Sequence, residues 1–159
     1  MRFGLLVARL TAAAWVGAAV LFVITAVREV RHPGFDSATK DTLALLRFPA
    51  YYACGFVLVG AALGGTLVAL LGREKGKRRT IVAAAWLLAL TIVLMVADFY
   101  VIYVPMVGMI TPVGRAHMAE FAGYHRASMI ANFADVALCA IAAALLCWPA
   151  PQQTARADS

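Results

Sequence analysis

The stretch IVAAAWLLALTIVLMVADFYVIYV, Ile81 to Val104, decides what kind of protein this is. It carries one charged side chain, Asp98, and as a helix rising 1.5 Å per residue it would cover the ~30 Å hydrocarbon core of a bilayer. Three further runs, Leu10 to Val27, Pro49 to Gly72 and Ala127 to Trp148, reach or nearly reach the ~20 residues that a crossing helix needs. Hydrophobic residues make up 64% of the 159, more than a soluble domain of this size can bury. Backbone groups in lipid must find their partners within the segment, so long apolar runs make helices. Barrel strands would alternate with period two over about 10 residues, and none of these runs does. The sequence therefore predicts an all-α integral membrane four-helix bundle. One four-span domain covers residues 1–148, with spans at about 5–27, 49–72, 81–104 and 127–148, and residues 149–159 form a disordered cytoplasmic tail. Arg2 and Arg9 ahead of an apolar stretch resemble a signal peptide. The stretch is too long and lacks a small-x-small cleavage site, so it reads as a retained first span.

Charge sets the expected orientation. Five of the fourteen basic residues, Arg73, Lys75, Lys77, Arg78 and Arg79, crowd one loop between two spans. There they read as a cytoplasmic anchor against anionic lipid, and the net charge of +6 is no sign of a nucleic-acid partner. With Arg2 and Arg156 that side holds seven basic residues; Arg28, Arg31, Lys40, Arg47, Arg115 and Arg126 make six on the other. The dense loop places both termini in the cytoplasm of a multi-pass inner or plasma membrane protein. Arg9 is expected to snorkel to headgroups. Cys54, Cys139 and Cys147 show no C-x-x-C spacing and read as buried inert thiols.

The connections on the outer side look partly helical. Asp36-Ser37 is an N-cap pair followed by Leu43, Leu45 and Leu46 ahead of Pro49. Thr111-Pro112 offers a second cap and an N1 proline, which predicts a helix roughly 55 Å long running on to Trp148. Each half then reads as span, turn, amphipathic outer segment and span, with the two outer segments forming a cap. Phe48-Pro-Ala-Tyr51-Tyr52 aligns with Phe121-Ala-Gly-Tyr124-His125, and Trp15 with Trp86, which suggests two tandem helical hairpins. Gly60 and Gly64 form a G-x-x-x-G that permits close helix packing within the bundle or between protomers.

The polar residues converge. His125, Ser128, Asn132 and Asp135 fall within a sector of about 80° of one helix at 100° per residue. Asp98 lies at similar depth in the third span, on a face shared with Thr91. An ionisable group costs several kcal/mol if it faces lipid, so these side chains turn inward and form a polar pocket in the outer half of the bundle. Asp98 or Asp135 is expected to be protonated or paired with His125, as a site for a cation or proton. The competing reading is structural: helix-to-helix hydrogen bonds, with a buried Asp satisfied by Tyr100, Tyr103 or an arginine. His117, Glu120 and His125 are the candidate metal ligands. His117 and His125 are about 12 Å apart along a helix, too far for one ion, and His117 with Glu120 at i,i+3 is an incomplete set. Bis-histidine haem would need two facing histidines inside the bundle. No Ser-His-Asp spacing, H-E-x-x-H or P-loop is present, so no catalytic residue is assigned.

Trp15-Val-Gly17, Phe48-Pro-Ala-Tyr51-Tyr52, Tyr103-Val-Pro105 and Phe121-x-x-Tyr124-His125-x-x-Ser128-x-x-x-Asn132 resemble the transmembrane-protein-205-like family over residues about 8 to 148. These are four-span membrane proteins grouped under a domain of unknown function. The resemblance implies a four-helix membrane bundle and points toward metal or drug handling without naming a chemistry. The chain departs from the family pattern at Arg31-His32-Pro33-Gly34. A copper-resistance-type membrane protein is the competing resemblance, which would carry more His and Met at the outer face. Taken together, the residues favour a non-enzymatic transport-related or accessory component, partnered by the bilayer and by self-association or a larger membrane complex. The alternative is a metal- or haem-handling membrane protein using His125 with His117 or Glu120, and no cofactor is assigned.

Overall fold

Among the described residues, four helices are long and apolar enough to cross a membrane, the architecture of a multi-pass membrane protein. The structure, a computed structural model, describes residues 2–72, 78–114, 116 and 119–148. Helix α1 is Arg2–Val30 and α2 is Ser37–Leu71. The third span begins as α3, Arg78–Ala97, opens into a π-helical segment, Asp98–Tyr103, and closes as α4, Val104–Met109. Helix α5 is Phe121–Cys147. The expected tail at 149–159 and most of the basic loop, 73–77, lie outside the described residues.

Local chemistry sets the ends and the one irregularity. The Asp36 side chain caps α2, accepting the Thr39 N–H at 2.8 Å, and bonding to Thr39 holds its carboxyl below the usual range. Pro49 does not separate an outer segment from the second span as expected; α2 runs through it as one helix of 35 residues. Pro105 acts differently. A proline inside a helix lacks the N–H for its i−4 bond and crowds the carbonyl there, and the turn upstream has widened, with the Val104 N–H reaching back to the Phe99 carbonyl. The third span continues past this point to Met109, beyond the expected end at 104.

The predicted helix from Thr111 to Trp148 is corrected: α5 starts at Phe121, and no second amphipathic outer helix forms among the described residues. Gly114 is the reason. Its φ of 77° belongs to the left-handed region, which no α-helix contains, and its N–H is held by Asp41 Oδ2 at 3.0 Å. The Thr111 hydroxyl bonds back to the Val107 carbonyl at 2.8 Å and so belongs to the preceding helix.

The helices form a ring of neighbours. Helix α1 packs on α2 and α5, and the third span packs on the same two. Two helical hairpins thus lie side by side, although the halves are not equivalent in detail: Trp15 is buried, while its expected counterpart Trp86 is 73% exposed. Ala8, Ala12, Trp15 and Ala19 recur at helical spacing as the inner stripe of α1. The tightest crossing uses glycines that the sequence reading passed over. A Cβ on Gly65 would stand 2.6 Å from the Gly4 carbonyl oxygen and 3.0 Å from the Ala8 nitrogen. Gly60 and Gly64, the expected packing pair, have nothing within 4 Å of such an atom and turn away from the bundle, because residue 65 holds the inner face of α2. Arg9 has a protein partner that was not expected: its Nε donates to the Leu146 carbonyl at 2.8 Å, satisfying an orphan acceptor in the last turn of α5. Cys139 is buried as expected, but Cys54 and Cys147 are exposed; all three thiols are free.

Candidate functional site

Asp98 opens the π-helical segment and sits inside the bundle with 2% of its surface exposed. Its Oδ2 accepts the Tyr52 hydroxyl from α2 at 2.5 Å and the Asn132 amide from α5 at 3.4 Å. Asn132 is itself steadied on its own helix by the Ser128 carbonyl at 2.8 Å and the Ser128 hydroxyl at 3.1 Å. Ser128, Asn132 and Asp135 follow at i, i+4 and i+7, so one face of α5 delivers all three. Asp135 is as buried as Asp98 and lies within electrostatic reach of it.

The two carboxylates differ in their partners. Asp98 gathers donors from Tyr52 and Asn132, both on Oδ2, and leaves Oδ1 buried without a partner. Among the described residues Asp135 has no hydrogen-bond partner, and its Oδ1 is buried and unpartnered. A third buried polar atom without a partner, Trp15 Nε1, belongs to the same region. Cys139 Sγ meets the Ala12 carbonyl at 3.7 Å, and α1 and α5 run antiparallel, so one turn further along each helix Trp15 and Asp135 share a level.

Aromatic rings close the site from the side of the α1–α2 turn. Tyr52 packs against Phe99 at 5.1 Å and Tyr103 at 5.0 Å between centroids. Phe48 covers Tyr103, and Tyr51 lies between Trp15 at 4.9 Å and Phe22 at 4.2 Å. Above them Arg47 sits over the Phe22 ring and pairs with Glu29, joining α1 to α2. Gly55 makes room at the centre, since a Cβ there would run into Trp15 and the end of Met95.

Of the five residues expected in the pocket, the structure joins Asp98, Ser128 and Asn132 by hydrogen bonds and places Asp135 beside them. His125 is the correction. It is exposed, one turn before Ser128 at the edge of the polar sector, and its ring stacks on Phe121 four residues earlier, 6.0 Å between centroids. His125, Tyr100 and Tyr103 were the expected partners; the hydroxyl that Asp98 accepts is that of Tyr52. Of the candidate metal ligands, Glu120 and His125 are both exposed and His117 lies outside the described residues. No group of three or more His, Cys, Asp and Glu among the described residues is placed to hold a metal ion.

Tyr52 was visible in the Phe48-Pro-Ala-Tyr51-Tyr52 motif, but its pairing with a residue 46 positions away is a tertiary fact. Trp15 and Asp41 were likewise missed as polar participants; the burial of Asp41, at 4% exposure, follows from its hold on Gly114. The chain matches no protein-family model, no curated protein and no solved structure.

Proposed function

We propose that this chain is a non-enzymatic, transport-related membrane protein that holds a proton or small cation at Asp98 and Asp135. One observation carries the reading: two carboxylates from neighbouring spans are buried together, and the Oδ1 of each is fully buried without a partner. No lysine, arginine or histidine is among the buried described residues to neutralise them. Two adjacent negative charges in a water-poor bundle are strongly unfavourable, so the pair must take up positive charge. Amide or hydroxyl side chains would join the helices equally well without that demand, and this favours an ion-handling role over a purely structural one.

The same proposal includes an inner or plasma membrane location with both termini cytoplasmic, supported by the basic cluster around residues 73–79, and membership of the transmembrane-protein-205-like family, supported by the spacing of His125, Ser128 and Asn132. Labelling from outside should modify a cysteine introduced at Ser37 or Gly114 and spare one at Gly76; the reverse would overturn the orientation. The ion-handling role is tested by reconstituting the full chain in liposomes loaded with a pH-sensitive dye, under an imposed pH gradient or potassium diffusion potential. Ion flux should fall at least tenfold in Asp135→Asn and Asp98→Asn while insertion is unchanged. Flux that is equal in wild type and both variants would refute the reading.

A further inference from the structure

The geometry points to a single proton as the ion this pocket holds, carried by Asp135 beside an ionised Asp98. The inference rests on the ion-handling reading above and names the ion and its carrier.

The pocket is lined by the wrong groups for a metal cation. Sodium, potassium, magnesium or calcium would need several oxygen atoms turned inward as acceptors. Here Tyr52 and Asn132 direct hydrogens toward Asp98, and the N–H of Trp15 is a further donor without an acceptor. Donors stabilise a carboxylate and repel a bare cation. The acceptors left open are Asp98 Oδ1 and the two oxygens of Asp135, fewer than the roughly six that such a cation gathers, whereas a proton needs only one of them.

The donors also distinguish the two acids. Asp98 receives the hydroxyl of Tyr52 and the amide of Asn132, the setting that suits a negative charge. Asp135 receives none of these, and a buried carboxyl without donors is stable as the neutral acid. Like charges at close range cannot both persist, so ionisation of one favours the proton on the other. The titratable groups facing Asp135 are Tyr51 from α2, Asp98 from the third span and Cys139 from its own helix. Helix α1 places Trp15 at this level, with Arg9 one to two turns away and committed to the Leu146 carbonyl. Arg9 carries the one positive charge among these, and the Leu146 carbonyl that it holds lies eleven residues from Asp135, roughly 16 Å along α5.

The test is infrared spectroscopy of the full chain in detergent or lipid nanodiscs, in H2O and D2O at neutral pH. Wild type should show one protonated-carboxyl band that shifts on deuteration. Asp135→Asn should lose it, Asp135→Glu should keep it at a shifted position, and Asp98→Asn should keep it. Circular dichroism and the melting temperature report folding, and the Glu variant keeps the test decisive if the Asn variant folds poorly. A band lost in Asp98→Asn and kept in Asp135→Asn would overturn the assignment while leaving the ion-handling reading standing. So would a wild type without the band that binds sodium, potassium or magnesium ions calorimetrically in an Asp135-dependent way. Spectra and liposome flux indistinguishable among wild type and all variants would overturn both.

Discussion

Replacing Gly65 by alanine separates the packing seen in the structure from the packing suggested by the glycine motif. The new Cβ would lie 2.6 Å from the Gly4 oxygen, where ordinary contact begins at 3.4 Å, so α1 and α2 must separate by up to 3.4 − 2.6 = 0.8 Å at that point or tilt. Both obstructing atoms belong to the backbone of α1 and cannot swing aside as a side chain would. Overpacking of this kind costs about 1–3 kcal/mol. Alanine also improves helix propensity by about 0.8–1 kcal/mol relative to glycine on scales measured in water. The net expectation for Gly65→Ala is therefore a loss of up to about 2 kcal/mol, and more for Gly65→Val. Gly60→Ala and Gly64→Ala meet open space and should be neutral or slightly stabilising. Reversible unfolding in mixed detergent, followed by circular dichroism, measures all three on one scale. A stable Gly65→Ala together with destabilised Gly60→Ala or Gly64→Ala would refute the α1–α2 geometry described above.

Tyr52→Phe removes the shortest hydrogen bond to Asp98 and should lower stability by about 1–3 kcal/mol in the same assay; a neutral result would show that Tyr52 does not hold the carboxylate. Arg9→Met deprives the Leu146 carbonyl of its donor and should cost about 1–2 kcal/mol, whereas a snorkelling arginine would be replaceable without loss. Gly114→Ala puts a side chain on a left-handed backbone beside Ala38, and with Asp41→Ala it should speed tryptic cleavage after Arg115 in proteoliposomes; unchanged cleavage in both would refute the Asp41–Gly114 tie. The Asp36 cap has a lowered carboxyl, so its contribution is present above the ordinary aspartate range and lost as pH falls through its folded value. The melting temperature of wild type should thus exceed that of Asp36→Ala at neutral pH and converge with it in strong acid.

Much of this was legible in the sequence because lipid is an unforgiving solvent. Ile81 to Val104 had to be a helix whatever it packed against, and Asp98 and Asp135 had to face inward whichever neighbours they met. The Asp36 cap was legible for a different reason: it is a local contact with a residue three positions on. What failed depended on the other helices. Helical periodicity puts His125 within the polar sector of α5, but the first turn of α5 lies at the edge of the bundle and its ring found Phe121 instead. Gly60 and Gly64 satisfy the motif spacing, yet only contact with α1 decides that residue 65 faces inward. The break before Phe121 turned on Gly114, whose conformational freedom was visible and whose anchor, Asp41, lay far away in sequence.

The site also shows why the irregular turn of the third span matters. An unbroken α-helix repeats every 3.6 residues, so residues five apart point in directions well separated around the axis. Asp98 and Tyr103 are five apart and both buried, bracketing the π-helical segment that Pro105 opens. The widened turn therefore brings an acid and the aromatic ring that helps cover it onto one side of the span. Helix α2 answers with Tyr52, which meets Asp98 through its hydroxyl and Tyr103 through its ring. Both carboxylates belong to the second hairpin, while Tyr51, Tyr52 and Trp15 come from the first. The site is completed only where the hairpins meet, and a change that parts them removes the Tyr52 hydroxyl from Asp98 and its ring from Tyr103 together.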